Sequence, residues 1–242
     1  MWMRSLLVSA FWFVLVSPAG AQVSYGEKAV ASNAAGITLV AMDFRFDGTA
    51  PSEIEFAFDG LAYGVYYNRH PLMLTYVRGA QTIGSKDKLA LTDFSMSGWI
   101  PFRPFTGKKD SKVDFFFPIG LQSDYRRIQR TQGSVEVDAF EYTVVAAGTG
   151  VGASAPVFRG ILSAKGLAYY GIATRSFGFD TDTSAIMEID VDWISALLTD
   201  KFGISLGYSY RWQKWYSDLG QLTGDSFDFI GKHHAFRLGM SF

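Results

Sequence analysis

Apolar and polar residues alternate with a period of two along most of the chain. The clearest cases are residues 185–197 and 202–212, where large apolar side chains occupy every second position. Successive side chains of a β-strand point to opposite faces, so this period predicts strands with one apolar and one polar face. Turn residues separate ten such segments, at 38–46, 53–67, 72–79, 89–102, 113–122, 135–147, 161–174, 185–197, 202–212 and 227–242.

The length and number of these segments predict a closed barrel. Most are near the roughly 9–11 residues that a tilted strand needs to cross a membrane. We therefore expect an all-β, closed antiparallel up-and-down transmembrane β-barrel of about ten strands. Eight strands is the alternative, because the connections at 106–112 and 148–156 are long for inner turns. The parity of the apolar positions changes near Gly60, which predicts a β-bulge there.

An even number of strands places both ends of the barrel domain on the same side of the membrane. We expect short turns on that side, at 68–71 and 199–201. On the opposite side we expect polar loops, at 81–88, 124–134, 179–184 and 216–226. Short inner turns and longer outer loops are typical of barrels in bacterial outer membranes.

Composition supports strands and excludes some functions. Aromatic residues make up 16% of the chain, with 25 Gly and 7 Pro, which favours strands and turns over helices. The chain has no Cys, so its stability must come from closure and packing rather than disulfides. Its formal net charge is −1 and it has no basic stripe, so nothing indicates nucleic-acid binding.

The first 21 residues predict a cleaved signal peptide. Arg4 precedes a short apolar run at 6–16, and Ala19 and Ala21 flank Gly20 as small residues at a cleavage site. The run is shorter than the about 20 apolar residues of a transmembrane helix. We expect residues 1–21 to be removed on export and residues 22–242 to form one β-barrel domain.

The second face of the predicted strands carries charges separated by Gly and Ser. A small soluble barrel packs apolar side chains inside, whereas paired acids and bases suit the narrow polar lumen of a membrane barrel. The residues expected in this lumen network are Asp43, Arg45, Asp114, Glu188, Asp190, Asp192, Arg211 and Arg237. Three carboxylates on one strand could attract a cation, but we expect them to pair with arginines of the following strands.

The last segment has its apolar residues on one face and ends on an aromatic residue. The residues on this face are Phe236, Leu238, Met240 and Phe242. With this segment the chain resembles the bacterial outer-membrane β-barrel proteins, a resemblance of pattern over residues 22–242. It implies a place in the outer membrane and contact with its lipids. It also implies that these four residues are the signal read by the barrel-assembly machinery after delivery by periplasmic chaperones.

The sequence predicts no cofactor, no metal site and no catalytic residue. It lacks the His-x-Ser pair of outer-membrane lipid A deacylases. Ten strands also resemble the omptin proteases, and His233 with Asp225 or Asp228 is the nearest approximation to their chemistry. A hydrogen bond in the lumen is the expected role of His233.

A basic cluster lies in the predicted loop at 124–134. Arg126, Arg127 and Arg130 could bind the phosphates of lipopolysaccharide, because guanidinium groups bind phosphate through two hydrogen bonds. The other interpretation is an ordinary solvated loop.

These observations predict an integral outer-membrane barrel with a narrow polar lumen and a structural or small-pore role. A wide diffusion porin is not expected, since those channels need about 16–18 strands. One alternative is a barrel enzyme that hydrolyses lipid or peptide at the outer rim. Another is a soluble periplasmic barrel that binds an apolar ligand.

Overall fold

The computed structural model describes residues 33–49, 56–83, 87–103, 113–132, 135–175, 181–195, 202–216, 226 and 228–242. The predicted signal peptide at 1–21, the turn at 199–201 and the connection at 106–112 lie outside these residues. Within them, no helix is long and apolar enough to cross a membrane.

The described residues form ten β-strands. In chain order these are β1 (Asn33–Phe46), β2 (Ala57–Arg69), β3 (Leu72–Ile83), β4 (Asp87–Phe102), β5 (Asp114–Gln132), β6 (Val135–Val157), β7 (Gly160–Arg175), β8 (Thr181–Ser195), β9 (Gly203–Tyr216) and β10 (Phe229–Ser241).

The strands form a closed barrel. Each strand pairs antiparallel with its neighbours in sequence, and β1 also pairs with β10. The closing register joins Ala34 to Ser241 at one end and Phe46 to Phe229 at the other. The predicted ten-stranded antiparallel up-and-down β-barrel is therefore confirmed, and the eight-stranded alternative is wrong. Closure leaves no strand with an unpaired edge.

Strands β5 and β6 are longer than the sequence predicted. Residues 148–156, interpreted as an inner turn, belong to β6, and residues 124–132, interpreted as a loop, belong to β5. The small residues of β6 continue in register with both neighbouring strands. The polar residues of β5 are accommodated in the strand because many of them form ion pairs, as described below.

The bulge predicted near Gly60 is wrong. The pairing of β1 with β2 runs without a shift through Gly60, which lies opposite Met42. The apolar residues change face because the barrel interior is itself apolar at this end: Phe58 is fully buried inside, and Asp59 is exposed outside. The register shift lies instead between Ile128 and Gln129, in the pairing of β5 with β6.

The outer face of the barrel is largely apolar. Large hydrophobic side chains are exposed on it in all ten strands. Examples are Ile37, Leu39, Leu61, Tyr63, Val65, Tyr76, Phe94, Ile100, Phe115, Ile119, Leu121, Val145, Val151, Tyr170, Ile172, Met187, Ile189, Leu206, Phe236, Leu238 and Met240. Because side chains alternate along each strand, the intervening residues point into the barrel.

We call the end of the barrel that holds the start of β1 and the end of β10 the terminal end, and the opposite one the loop end. The strand bounds place the connections 70–71, 103–113, 158–159 and 196–202 at the terminal end. At the loop end are 47–56, 84–86, 133–134, 176–180 and 217–228. The loop end thus has both short and long connections, so the expected contrast between the two ends is only partly present.

Candidate functional site in the barrel interior

Strands β8 and β9 direct charged side chains into the barrel. The alternation of β8 points Glu188, Asp190 and Asp192 inwards, while Met187 and Ile189 are exposed outside. The register places Glu188 directly opposite Arg211 of β9. The register therefore determines which charges meet, because residues opposite each other on one face of a sheet lie within contact distance.

The first ion cluster is centred on Arg211. Its Nε donates a hydrogen bond of 2.6 Å to Glu188, and its Nη1 donates one of 3.1 Å to Asp124. Asp124 also accepts two hydrogen bonds of 3.0 Å from the amide of Gln122. Asp124 belongs to β5, four strands away from β9 around the barrel, so this contact crosses the lumen. All these side chains are buried.

The second ion cluster lies nearer the terminal end. Asp190 is 2.9 Å from the Nζ of Lys165 and 3.2 Å from the Nη2 of Arg237. The same Nη2 atom donates to Asp192 at 3.0 Å. Lys165 also lies 5.4 Å from the ring centre of Trp99, three strands away on β4. This cluster therefore also spans the lumen.

The third ion pair connects the charges to an apolar region. Arg126 of β5 donates a 2.6 Å hydrogen bond to Asp93 of β4. Its guanidinium also lies 5.1 Å from the ring centre of Trp215 and 5.8 Å from that of Phe44. A guanidinium over an aromatic face gains cation–π attraction. Arg126 thus joins the polar interior to the aromatic residues above it.

Aromatic side chains close the lumen towards the loop end. We call this group the aromatic layer, and its members are Phe44, Phe56, Phe140, Trp215 and Phe229. The rings of Phe44 and Phe140 are 4.6 Å apart, although β1 and β6 are five strands apart in a barrel of ten. Their contact therefore runs across the full width of the lumen. Edge-to-face and stacked contacts at these distances are favourable.

A small cavity lies between the aromatic layer and the second ion cluster. The centres of water molecules can occupy about 30 Å³ of it, which is room for about two waters. Polar residues including Glu188, His233 and Thr38 line it together with apolar residues such as Val40. The Thr38 hydroxyl is buried and has no hydrogen-bond partner among the described residues. The cavity therefore suits waters bound to polar side chains.

The predicted lumen residues of β1 and β5 lie outside the two ion clusters. Asp43 and Arg45 are on the outer face, while Phe44 between them points inwards. The predicted interior position of these two charges is therefore wrong. Asp114 lies at the terminal end of β5, where it accepts a 2.8 Å hydrogen bond from Arg103 with about a third of each side chain exposed. The other five predicted residues lie in the two ion clusters above.

The basic cluster of β5 is not a loop. Arg126 points inwards to Asp93, and Arg130 pairs with Asp87 at 2.9 Å. Arg127 is on the outer face and pairs with Asp138 at 2.8 Å. Alternation along the strand places Arg127 on the face opposite to Arg126, so these arginines do not share one surface. Contact of this cluster with lipopolysaccharide phosphates stays a prediction.

Sequence reasoning missed several charged residues of the interior. Among them are Asp93, Asp124, Arg126, Lys165 and Asp182. Asp124 and Arg126 share the parity of Asp114, so continuing the alternation of β5 beyond Gln122 would have placed them inside. Lys165 lies in a segment where Gly and Ala weaken the alternation, and it gave no such signal.

The four apolar residues of the final strand are all exposed on the outer face. Phe236 is 56% exposed, Leu238 53%, Met240 54% and Phe242 43%. They therefore form a continuous apolar strip at the closing edge of the barrel, beside β1. This is their position in the folded barrel, and their predicted role in assembly stays a prediction.

The histidines form no catalytic set among the described residues. His233 faces the cavity, and Asp228 pairs with Lys214 at 3.1 Å; Asp225 lies outside the described residues. His70 lies in the turn between β2 and β3, against Trp99, where burial and then the charges of Lys165 and Arg103 lower its pKa. No group of three or more described His, Asp or Glu residues could hold a metal ion.

No protein-family model and no curated protein matches this sequence. Among solved structures, the chain is similar to the outer membrane protease OmpT from Escherichia coli, with 8% sequence identity and a TM-score of 0.43. The similarity covers 87% of this chain and 96% of that one. It carries no information about activity.

The strand pairing defines a closed antiparallel β-barrel, and its apolar outer face with an ion-paired interior is the polarity typical of transmembrane β-barrels.

Proposed function

We propose that this protein is an integral outer-membrane β-barrel with a structural role, whose lumen is closed by packed side chains. The observation that carries the proposal is the distribution of polarity across the wall. Large apolar residues are exposed outside, whereas Arg211, Glu188 and Asp190 are buried inside. In water the apolar outer face would be exposed to solvent, whereas in a membrane it would contact lipid.

The same distribution argues against a soluble periplasmic barrel. Such a barrel would bind its apolar ligand in an apolar interior and present polar residues to water. Here the middle of the interior carries ion pairs, and the cavity has room for about two waters. That volume is far below the about 300–1,000 Å³ of pockets for small-molecule ligands.

Contacts across the lumen favour a structural role over a pore. Phe44 and Phe140 meet from opposite walls at the loop end, and Arg211 and Asp124 meet across the middle. The polar cavity beside them favours one second candidate, a narrow path for water or small ions. A barrel enzyme acting at the outer rim has less support from the described residues, because the aromatic layer separates His233 from that rim.

The route and the partners follow from the same proposal. Residues 1–21 would direct export and be removed. The exposed strip of Phe236, Leu238, Met240 and Phe242 would be read by the barrel-assembly machinery after delivery by periplasmic chaperones. Membrane lipids would contact the outer face. Arg45 and Arg127, which lie on the outer face towards the loop end, would contact lipopolysaccharide phosphates.

Fractionation and electrophoresis test the membrane location. We expect the full chain, expressed in a Gram-negative host, to remain in the outer-membrane fraction after carbonate washing. Its gel mobility should change on boiling, as the closed barrel unfolds. Extraction by carbonate would contradict the proposal.

Planar bilayers then separate a structural barrel from a pore. We expect no stable conductance from the purified protein beyond that of protein-free bilayers. Reproducible unitary currents would overturn the structural role and favour the small pore.

A further inference from the structure

The turn between β6 and β7 exposes an aromatic side chain in an unfavourable backbone conformation. Val157 pairs with Gly160, so the loop consists of only Phe158 and Arg159. Both have positive φ, 45° and 57° respectively. Two-residue turns of this kind strongly favour Asn-Gly, because bulky residues at positive φ are strained. Phe158 is nevertheless 84% exposed, so it makes little compensating contact with the barrel.

The hairpin that carries this turn is held in place. The indole of Trp193 on β8 donates a 3.0 Å hydrogen bond to the carbonyl of Val157. A Cβ at Gly160 would lie 2.5 Å from the carbonyl oxygen of Ile194 and 2.8 Å from that indole nitrogen, so the close packing there requires glycine. The tip is therefore presented by a braced hairpin.

The surroundings of the tip indicate what it meets. The outer face at the terminal end already carries exposed aromatic residues, among them Phe102, Phe115, Phe202 and Phe242. Aromatic side chains are typical of the boundary between lipid and water. Arg159 is exposed beside Phe158 and has no acidic partner among the described residues. A cation next to an apolar group matches a phosphate headgroup above acyl chains.

We propose that Phe158 and Arg159 form a lipid anchor, with the ring inserted among acyl chains and the guanidinium on a phospholipid phosphate of the leaflet at the terminal end. This inference rests on the proposed membrane location. It assigns the turn an interaction that offsets its backbone strain, since strained residues persist where another contact stabilises them.

Site-directed spin labelling measures the depth of the tip. The chain has no Cys, so Phe158→Cys gives a single labelling site in vesicles of phosphatidylethanolamine and phosphatidylglycerol. Matched controls are Phe115→Cys on the apolar face and Asp47→Cys, which is exposed at the loop end. We expect the ratio of oxygen to nickel-chelate accessibility at 158 to approach that at 115 and to exceed that at 47 several-fold.

Two results would overturn the anchor. One is a ratio at 158 equal to that at 47, which places the tip in water. The other is low accessibility to both reagents, which indicates burial against protein. If the barrel instead fails to enter vesicles, as judged by unchanged gel mobility on boiling, the proposed membrane location itself fails.

An Asn-Gly replacement separates anchoring from turn formation. Phe158→Asn with Arg159→Gly relieves the strain but removes the anchor. In detergent micelles, which have no bilayer leaflet, we expect unfolding to become slower than in the wild type. In the vesicles we expect this slowing of unfolding to disappear, or unfolding to become faster than in the wild type. An equal gain in both environments would show that the turn has no role towards lipid.

Discussion

Arg211 shows how single residues hold the interior together. Its guanidinium is shared between Glu188 and Asp124, which come from two different strands, and all three side chains are at most 6% exposed. Removing Arg211 leaves the carboxylates of Glu188 and Asp124 buried without the cation that they share. That loss costs about 3–5 kcal/mol, because a buried unpaired charge has lost its hydration.

We therefore expect Arg211→Met to lower the free energy of unfolding by about 3–5 kcal/mol. Urea unfolding in lipid vesicles, followed by Trp fluorescence, measures the change. The matched control is Arg127→Met, since Arg127 also pairs with an aspartate but its side chain is 35% exposed on the outer face. That substitution should cost about 0–1 kcal/mol. Equal losses from the two substitutions would contradict the buried network.

At the scale of strands, alternation predicts the strands well, but it predicts which face points into the barrel for only some of them. For most of β8, β9 and β10 the outer face is apolar and the inner face polar, but Trp215 and Phe229 point inwards into the aromatic layer at the loop end. In β1 the sense is reversed at the loop end, where Phe44 joins the aromatic layer and Asp43 and Arg45 point outwards. The period of two separates faces but does not say which is inside, so the sequence could not place these three residues.

Packing inside the wall of β5, β6 and β7 depends on one large side chain over small ones. Tyr169 of β7 is buried against Gly120 and Gly148. A Cβ at Gly120 would come within 2.9 Å of the Tyr169 ring and hydroxyl. A Cβ at Gly148 would also lie 2.3 Å from the backbone oxygen of Ala168. Neither contact could be predicted from sequence, because it depends on the register of three strands.

The different contacts of Gly120 and Gly148 predict which of two alanine substitutions a smaller side chain at Tyr169 can rescue. Gly120→Ala should destabilise the barrel by about 1–3 kcal/mol through overpacking, and Tyr169→Leu in the same chain should recover much of that loss. Gly148→Ala should stay destabilised with Tyr169→Leu, because its clash with the backbone remains. Double-mutant cycles of unfolding free energy in vesicles measure both couplings. Equal rescue at the two glycines would show that the ring alone limits the space.

For the whole molecule, the interior consists of two barriers in series. The aromatic layer lies towards the loop end, and the cluster around Asp190 and Arg237 lies towards the terminal end. The cavity lies between them. The sequence predicted the charges but not the aromatic layer, since its rings come from five segments whose apolar residues were expected to face lipid or were left unassigned.

A Cys inside the cavity reports on the barrier at the loop end. Ser209 lines the cavity and is 6% exposed, and the chain has no other Cys to react. On whole cells, a charged membrane-impermeant thiol reagent reaches only the outer surface. We expect Ser209→Cys to stay unlabelled, while Asp47→Cys, exposed at the loop end, reacts fully.

Truncating the central ring of the aromatic layer should remove this protection. Phe44→Ala costs about 3–5 kcal/mol, so it is the only substitution made in the aromatic layer, and folding is checked by the change in gel mobility on boiling. In that background we expect Ser209→Cys to react with the reagent, because the contact between Phe44 and Phe140 across the lumen is lost. Phe236→Ala on the outer face is the matched control and should leave Ser209→Cys protected. Rapid labelling of Ser209→Cys in the otherwise unchanged barrel would show instead that the lumen is open to the outside, as a narrow pore requires.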